Sequence, residues 1–305
     1  TQGAINRGGF NLNVCRIAQG GIGINTNALE QLRISDPDIA NALKSQQLDG
    51  RNISAIKPFA TSTGRNSTSS LGYPLSIKAN YRDLITPSLG NCLIHLDYKR
   101  QEIGIAAALS QDELLLDLYE NNCPYNWFAD QVTPPLPLKQ AKRLFIAIQY
   151  GARLSETFFR KMSIPKVTIQ KLYSLHHEQF ATYWSWTNRA LEDAYHYGQL
   201  SVADGWRAKV TSSSSPLSVI NWPIQATGAL LLRNVVSRLG QDSILPIGLN
   251  HDAILLETLH CDAEIVAQTA AAAMQDESKN LLGLRLKVSV DIGRPGQSLL
   301  EILEE

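Results

Sequence analysis

The sequence has few cysteines, and none of them lies close to another. Cys15, Cys92, Cys123 and Cys261 are scattered along 305 residues without any Cys-x-x-Cys pair. Structural zinc sites and disulfide-dense folds show recurrent short cysteine spacings, so the sequence supports neither. We expect reduced thiols and a cytoplasmic location.

Long apolar runs are also missing. No stretch approaches the roughly 18 uncharged apolar residues that a membrane-spanning helix needs. Residues 1–20 lack the charged-then-apolar order of a signal peptide. The sequence therefore predicts no membrane partner. With 44% hydrophobic and 18% charged residues, the chain is expected to fold as a globule and not to be disordered.

The chain has no net charge, because 28 Lys and Arg balance 28 Asp and Glu. Total charge therefore gives no argument for nucleic acid as a partner. The distribution is uneven, however. Residues 139–171 hold eight Lys and Arg and one Glu, a net +7, whereas residues 252–305 hold ten acids and four bases, a net −6. The basic segment is either a phosphate-binding face or an ordinary solvated face.

Hydrophobic periodicity predicts an α+β fold, with helices around a small antiparallel sheet and no internal repeat. Helices are predicted over 25–43 with a break near Pro37, and over 102–109, 138–150, 166–199, 220–239 and 262–282. Strands are predicted over 92–96, 253–256 and 286–290, the second of them within a hairpin over 246–257.

Two aspartates lie at the ends of predicted apolar strands. Asp97 follows residues 92–96, and Asp252 precedes residues 253–256. Taken singly, each is explained as a turn or capping residue. If the strands are neighbours, both carboxylates lie at one edge, where like charges repel unless cations lie between them. Such a pair is typical of two Mg²⁺ ions about 4 Å apart that activate an attacking oxygen and neutralise a leaving phosphate.

The predicted helix over 138–150 has one face on which residues recur every four positions: Leu138, Lys142, Ile146 and Tyr150. This face could bind a triphosphate through Lys142 and stack a base against Ile146 and Tyr150. The alternative is an ordinary amphipathic helix with a solvated lysine and a packed tyrosine.

Six segments, in order, resemble motifs of the DNA polymerase I family, the family A polymerases. Residues 96–110, LDYKRQEIGIAAALS, resemble motif A, residues 142–151, KRLFIAIQYG, resemble motif B, and residues 249–257, LNHDAILLE, resemble motif C. STGR (62–65), DGWR (204–207) and NWPIQATGA (221–229) resemble three further segments of that family. The resemblance covers about residues 50–299.

The resemblance implies a right-hand polymerase fold with an antiparallel palm sheet, helical fingers and a reduced or absent thumb. The implied domains are an N-terminal lead-in or thumb remnant (1–50), the first part of the palm (51–110), the fingers (111–205) and the second part of the palm (206–305).

The resemblance also implies a role for each matching residue. Asp97 and Asp252 are implied as the catalytic residues that hold two Mg²⁺ ions, for which Mn²⁺ could substitute. Glu102 is implied to crowd the sugar 2′ position. The other implied nucleotide-binding residues are Lys142, Ile146 and Tyr150, and the implied primer-template-binding residues are Arg65, Arg207, Asn221, Gln225 and His251.

The chain departs from the family pattern at several points. Leu138 stands where the family usually has an arginine, and Ile146 replaces an aromatic ring. Only about forty residues separate GIGIN (21–25) from STGR, too few for the usual thumb, and no segment resembles the exonuclease domain. Leu138 puts the full triphosphate-binding set in doubt, and the lost thumb contacts predict weak, salt-sensitive DNA binding and low processivity, unless a processivity or clamp-like partner protein supplies them.

We therefore predict a template-directed DNA polymerase that adds deoxynucleotides to a primer 3′-end by two-metal-ion nucleotidyl transfer. Its expected partners are a DNA primer-template and dNTPs, in a bacterial, phage or plasmid-encoded setting. Three alternatives stay open: a catalytically weakened replication accessory protein that binds nucleic acid, a single-subunit RNA polymerase-like enzyme, and a phosphodiesterase that uses the same two aspartates.

Overall fold

The computed structural model describes residues 20–54, 56–68 and 71–304. Cys15 and the first part of the predicted lead-in lie outside the described residues; Cys92, Cys123 and Cys261 are free thiols. The strands, in chain order, are β1 Ile22–Gly23, β2 Gln47–Leu48, β3 Arg51–Asn52, β4 Ile56–Lys57, β5 Ser67–Thr68, β6 Asn91–Tyr98, β7 Gln199–Ser201, β8 Arg207–Lys209, β9 Gly248–Asn250, β10 Ala253–Leu259 and β11 Val288–Ile292.

The α-helices account for most of the regular structure. They are α1 Thr26–Ser35, α2 Pro37–Lys44, α3 Gln101–Ser110, α4 Glu113–Glu120, α5 Pro124–Ala129, α6 Leu138–Gln149, α7 Glu156–Met162, α8 Lys166–Gln179, α9 Ala181–Tyr197, α10 Pro216–Gln241, α11 Ala263–Leu282 and α12 Leu299–Glu304. None of the described helices combines the length and the apolar composition that crossing a bilayer requires.

The sequence predicted most of the long elements and their breaks. Helices α1 and α2 divide at Pro37, which occupies the first position of α2, where a missing N–H leaves no bond unmade. Helix α6 ends at Gln149, and Gly151 follows with φ +75°, a conformation that favours glycine. The final strand begins two residues later than predicted. Leu286 is fully buried ahead of it, so part of the apolar run packs without joining the sheet.

The described residues form two compact units. The first, called here the sheet unit, contains the described residues up to Gln101, Ala203–Trp206, and those from Ala226 on. The second, called here the helical unit, contains Glu102–Val202 and Arg207–Gln225. The domain boundaries implied by the family resemblance, near residues 50, 110 and 205, stay a prediction.

The sheet unit is built on four antiparallel strands in the order β11-β6-β10-β9. Because side chains alternate along a strand, β6 has two different faces. On one face Ile94, Leu96 and Tyr98 are buried, and the Tyr98 hydroxyl donates to the Met274 carbonyl of α11 at 2.6 Å. The other face carries His95 and Asp97, which are only partly buried. The sheet therefore has one packed face and one face with accessible polar groups.

The helical unit has an aromatic core. The Phe145 ring of α6 meets the rings of Phe128 and Phe180 edge to face, at centroid distances of 5.2 and 5.7 Å. The Tyr183 hydroxyl donates to the Gln149 carbonyl at 2.8 Å. Buried aromatic pairs of this geometry add about 1 kcal/mol each beyond their area burial. Helix α6 is thus fixed along its inner face, and its opposite face is left accessible.

Candidate functional site

Asp97 and Asp252 lie at the same end of two hydrogen-bonded strands. Asp97, in β6, has Ala253 of β10 as its partner on one side and Ser289 of β11 on the other. Asp252 immediately precedes Ala253 in the chain. Both aspartates are partly buried. The register therefore places the two aspartates at neighbouring backbone positions, Asp97 in the sheet and Asp252 in the turn beside it.

A tight turn carries His251 and Asp252. These two residues connect Asn250 and Ala253, which are paired across the β9-β10 hairpin. His251 has φ +54°, and two-residue hairpin loops favour positive φ because it matches the twist of the strands. The turn leaves the His251 side chain exposed.

The two carboxylates suit a divalent cation by the chemistry of their donor atoms. Carboxylate oxygens are hard ligands of the kind that Mg²⁺ prefers, and Mg²⁺ usually takes only one or two carboxylates and fills its remaining positions with water and phosphate. Among the described residues, no group of three or more His, Cys, Asp or Glu side chains could enclose an ion.

One row further along the same face lies a second polar pair. His95 Nδ1 is 3.4 Å from an Asp291 carboxylate oxygen. Burial lowers the pKa of His95, and the hydrogen bond to Asp291 opposes that shift. The open face of the sheet thus remains polar beyond the two aspartates.

Arg65 and His251 line one small cleft within the sheet unit. Its cavity volume is about 70 Å³, and its walls include Gly64, Tyr73 and Asn250. The Tyr73 hydroxyl donates to the Leu249 carbonyl at 2.9 Å and accepts from the Leu249 N–H at 2.8 Å. Burial raises the pKa of Tyr73 well above its ordinary value. The tyrosine fixes the strand that leads into the His251 turn.

In the helical unit, the predicted stripe of α6 is accessible. Leu138 has 52% of its surface exposed, Lys142 is exposed, and Ile146 and Tyr150 are partly buried. The Lys142 ammonium lies 5.7 Å from the centroid of the Tyr125 ring. Cation–π contacts at exposed sites contribute about 0.5–1 kcal/mol, so this one orients the lysine without burying it.

The remaining residues predicted to contact substrate also lie in the helical unit. Glu102 is partly buried in the first turn of α3, and Arg207 is exposed at the start of β8. Asn221 and Gln225 are four residues apart on α10 and share a helix face. The Asn221 side-chain amide donates to the Tyr150 carbonyl at 3.5 Å, a weak bond that links α10 to the end of α6.

Sequence reasoning missed a buried ion pair behind the Arg65 loop. Arg233 and Asp204, both in the sheet unit, have side chains only 2% and 4% exposed, and their charged atoms are 3.0 Å apart. One signal was present in the sequence: Arg233 stands within the apolar stretch ALLLRNVV (229–236). An arginine at a core position of a helix requires a buried acceptor.

Comparisons with known proteins identify the family of the chain. The profile of the family described as DNA polymerase family A matches residues 32–297. The alignment with the thermostable DNA polymerase I of Thermus caldophilus is 25% identical over a gapped length of 276 residues, and it covers 80% of this chain and 32% of that protein. The alignment with the thermostable DNA polymerase I of Thermus aquaticus is 25% identical over a gapped length of 323 residues, and it covers 90% of this chain and 38% of that protein. This chain therefore spans about a third of the length of these relatives.

A solved structure shows the same fold. The POL domain of Pol1 from M. smegmatis, in complex with DNA primer-template and dNTP, superposes with a TM-score of 0.75 at 19% identity. The match covers 90% of this chain and 52% of that one. This likeness confirms the predicted α+β right-hand polymerase fold. Since the family profile matches most of the sequence, the chain belongs to DNA polymerase family A.

Proposed function

We propose that the chain is a DNA-directed DNA polymerase that adds deoxynucleotides to a primer 3′-end. The observation that carries the proposal is the pairing of Asp97 with Ala253, which makes Asp252 its neighbour in a chain of this family. The M. smegmatis POL domain, whose fold this chain shares, was solved with DNA primer-template and dNTP. This supports the same two ligands here.

Asp97 and Asp252 would hold two Mg²⁺ ions, or Mn²⁺ in their place. Bound there, the ions would supply a Lewis acid for the attacking 3′-hydroxyl and for the phosphate that is transferred. The contribution of the chain itself is geometric. Asp97 is held by strand pairing and Asp252 by a two-residue turn between paired residues, so that binding a cation would require little reorganisation of the backbone.

Residues of the helical unit are proposed to bind the incoming nucleotide. Lys142 is an exposed cation on a helix whose inner face is packed, which suits it to neutralise triphosphate charge. Ile146 and Tyr150 follow on the same stripe and would contact the base pair being formed. Glu102 is proposed to exclude a 2′-hydroxyl and so to select deoxynucleotides.

The primer-template is proposed to contact Arg65, Arg207, Asn221, Gln225 and His251. The shared cleft of Arg65 and His251 supports this role for those two residues, because it offers a cation and an imidazole on one accessible surface. An arginine that contacts phosphate would supply part of the salt-dependent DNA affinity, and one that contacts a groove edge would read the bases.

Weak retention on DNA is part of the proposal. Only about forty residues separate GIGIN (21–25) from STGR (62–65), too few for a full thumb and its contacts with DNA. A processivity or clamp-like partner would raise the occupancy of the primer-template by holding the enzyme near it.

The test is extension of a labelled primer on a DNA template with Mg²⁺, comparing dNTPs with rNTPs. We expect extension with dNTPs and its loss in Asp97→Asn and in Asp252→Asn. Replacing a residue that merely supports a metal ligand costs 10–100-fold, so loss of a ligand should reduce the rate by at least about a hundredfold. Asp276→Asn, at an exposed aspartate of the same unit, is the matched control and should extend like the wild type.

Other outcomes would favour the alternatives. A wild-type protein that binds DNA at low salt but never extends it would point to a replication accessory protein. Shortening of the labelled strand would indicate a phosphodiesterase, and extension with rNTPs alone would indicate an RNA polymerase-like enzyme.

A further inference from the structure

Arg233 is a charged side chain inside the sheet unit. It belongs to the part of α10 assigned to that unit, and its side chain is 2% exposed. Burying a guanidinium is expensive unless its donors and charge are matched. The contacts of the Arg233 guanidinium therefore indicate the structural role of the buried charge.

Each identified partner of Arg233 belongs to one small region. Nη2 donates to Asp204 Oδ2 at 3.0 Å, and Nη1 donates to the Gly64 carbonyl at 3.0 Å. The guanidinium carbon also lies 4.8 Å from the centroid of the Phe59 ring. Arg233 thus joins a buried carboxylate to the backbone of the loop over residues 59–65.

The acid that neutralises Arg233 also anchors a second contact with the loop. Asp204 Oδ1 accepts the backbone N–H of Trp206 at 2.8 Å. The Trp206 indole N–H donates to the Ser62 carbonyl at 2.9 Å, and its ring lies 5.2 Å from that of Phe59. The loop is therefore held at two carbonyls, those of Ser62 and Gly64, by donors that share one aspartate.

The loop has an ordered internal structure at the point where these donors reach it. The Gly64 N–H donates to the Thr61 carbonyl at 2.9 Å, and the Arg65 N–H donates to the Thr61 hydroxyl at 3.0 Å. Gly64 has φ +73°, and a Cβ added there would lie 3.0 Å from Arg233 Nη1 and 3.3 Å from Trp206 Nε1. The close fit leaves the loop little freedom to shift against Arg233.

The Gly64 carbonyl belongs to the peptide group that connects Gly64 to Arg65. A bond to this carbonyl fixes the plane of that peptide, and thereby the direction in which the Arg65 side chain leaves the backbone. Arg65 itself lines the cleft shared with His251. The buried charge is thus one peptide away from a residue proposed to contact DNA.

We propose that Arg233, neutralised by Asp204, is a positioning residue that holds the Gly64–Arg65 peptide so that Arg65 meets the primer-template. The inference rests on the proposed function, because it takes the role of Arg65 from it. A buried ion pair is in general weak evidence for a gain in stability over an apolar pair. We infer that the Arg233–Asp204 pair instead serves to orient Arg65.

The test combines DNA affinity with a measurement that needs no DNA. Arg233→Met removes the donor to Gly64, and we expect the dissociation constant for a primer-template to rise about tenfold, similar to the loss of one arginine contact. In an Arg65→Ala background the same substitution should have no further effect. Hydrogen exchange of the segment over residues 60–66, without DNA, should be faster in Arg233→Met.

Two further variants keep the result interpretable. Arg233→Met alone leaves the Asp204 carboxylate buried without its cation. If the protein then folds poorly, Asp204→Asn combined with Arg233→Met removes both charges and serves as the test variant. Arg51→Met combined with Glu257→Gln removes another ion pair of the sheet unit, with a charge separation of 2.6 Å. This control double variant should lower the free energy of unfolding. It should not change the hydrogen exchange of residues 60–66, and its effect on DNA affinity should be the same with and without Arg65→Ala.

If Arg233→Met weakens DNA binding equally in the wild-type and Arg65→Ala backgrounds, the inference is wrong. It is also wrong if Arg233→Met changes neither the hydrogen exchange of residues 60–66 nor the affinity for DNA. Failure of the proposed function is distinguishable. The protein could bind a primer-template with the predicted coupling between Arg233 and Arg65 and yet never extend the primer. That result would support Arg233 as a positioning residue and contradict the proposed polymerase activity.

Discussion

Asp97 is paired with Ala253 across the central sheet, so Asp252 lies one residue from the partner of Asp97. Two strands that are far apart in the sequence thereby bring two carboxylates to one end of the sheet. The polar face on which Asp97 lies also carries His95, bonded to Asp291. The candidate metal site is therefore part of a sheet surface that is polar over more than one row.

Sugar selection should depend on Glu102. We expect Glu102→Ala to raise incorporation of ribonucleotides relative to deoxynucleotides by about tenfold or more, because the side chain proposed to crowd the 2′ position is removed. Single-nucleotide incorporation with matched dNTP and rNTP measures this ratio. Glu113→Ala changes an exposed acid in the first turn of α4 and should leave the ratio unchanged. Equal ratios in the two variants would contradict the role of Glu102.

Leu138→Arg should strengthen nucleotide binding. The new guanidinium would lie one turn before Lys142 on an exposed stripe, and a charge-assisted bond to phosphate should lower KM for dNTP by about tenfold. The same change places a cation at a helix N-terminus and four residues from another cation, which should cost about 0.5 kcal/mol of stability.

Steady-state incorporation kinetics and urea unfolding measure the two effects of Leu138→Arg. Leu154→Arg, at another exposed leucine of the helical unit, is the control for a general gain of charge. If both variants lower the KM for dNTP equally, the effect comes from added positive charge and not from the position of Arg at residue 138 on α6.

Salt dependence should reveal whether Arg65 contacts phosphate. The slope of log affinity against log salt should become smaller by about one in Arg65→Ala, because one fewer counterion is released when DNA binds. Fluorescence anisotropy over a series of salt concentrations measures the slope. Arg285→Ala removes an exposed arginine that pairs with Asp276 and should keep the wild-type slope. An unchanged slope in Arg65→Ala would place Arg65 away from the phosphates.

The stability of the helical unit should fall in acid because of His176. Burial lowers the pKa of His176 to about 3, and His176 Nδ1 accepts the Trp184 indole N–H at 3.2 Å. The unfolded chain binds a proton near pH 6.5, so this contribution is complete above that pH and is lost as the pH falls towards 3. At pH 5 the loss should be about 2 kcal/mol.

Urea unfolding of the wild type and of His176→Gln at pH 7.5 and pH 5 tests this prediction. The variant should lose less stability than the wild type between the two pH values. His177, whose pKa is also lowered by burial, should account for part of the dependence that remains. His196→Gln changes an exposed histidine of the same unit and should behave like the wild type.

Alanine substitutions at two glycines distinguish the effect of backbone strain from that of contact with Arg233. Gly64 and Gly50 both have positive φ, +73° and +75°, but a Cβ at Gly50 would meet nothing within 4 Å. Both alanine variants should lose about 1 kcal/mol of stability from backbone strain. Only Gly64→Ala should also weaken binding of a primer-template, because its methyl group displaces the donor of Arg233. Equal DNA affinity in both variants would argue against a tight fit at this loop.

Local sequence signals determined the long elements of this fold. The apolar run from Cys92 to Leu96, the proline at 37 and the glycine at 151 each act through their immediate neighbours, and the corresponding elements were predicted correctly. The short helices α4, α5 and α7 were not predicted, because a helix of two turns carries too little periodicity to stand out. The order of the motifs likewise determined the family.

Tertiary structure decided which of these elements meet. The pairing of Asp97 with Ala253 requires that two strands more than 150 residues apart become neighbours, which no local pattern specifies. The pairing of Arg233 with Asp204, and their contact with the loop before Arg65, depends on packing between segments that are distant in the sequence. A sequence lists the groups that are able to interact, and the burial of a charge becomes favourable only where the fold brings its partner within bonding distance.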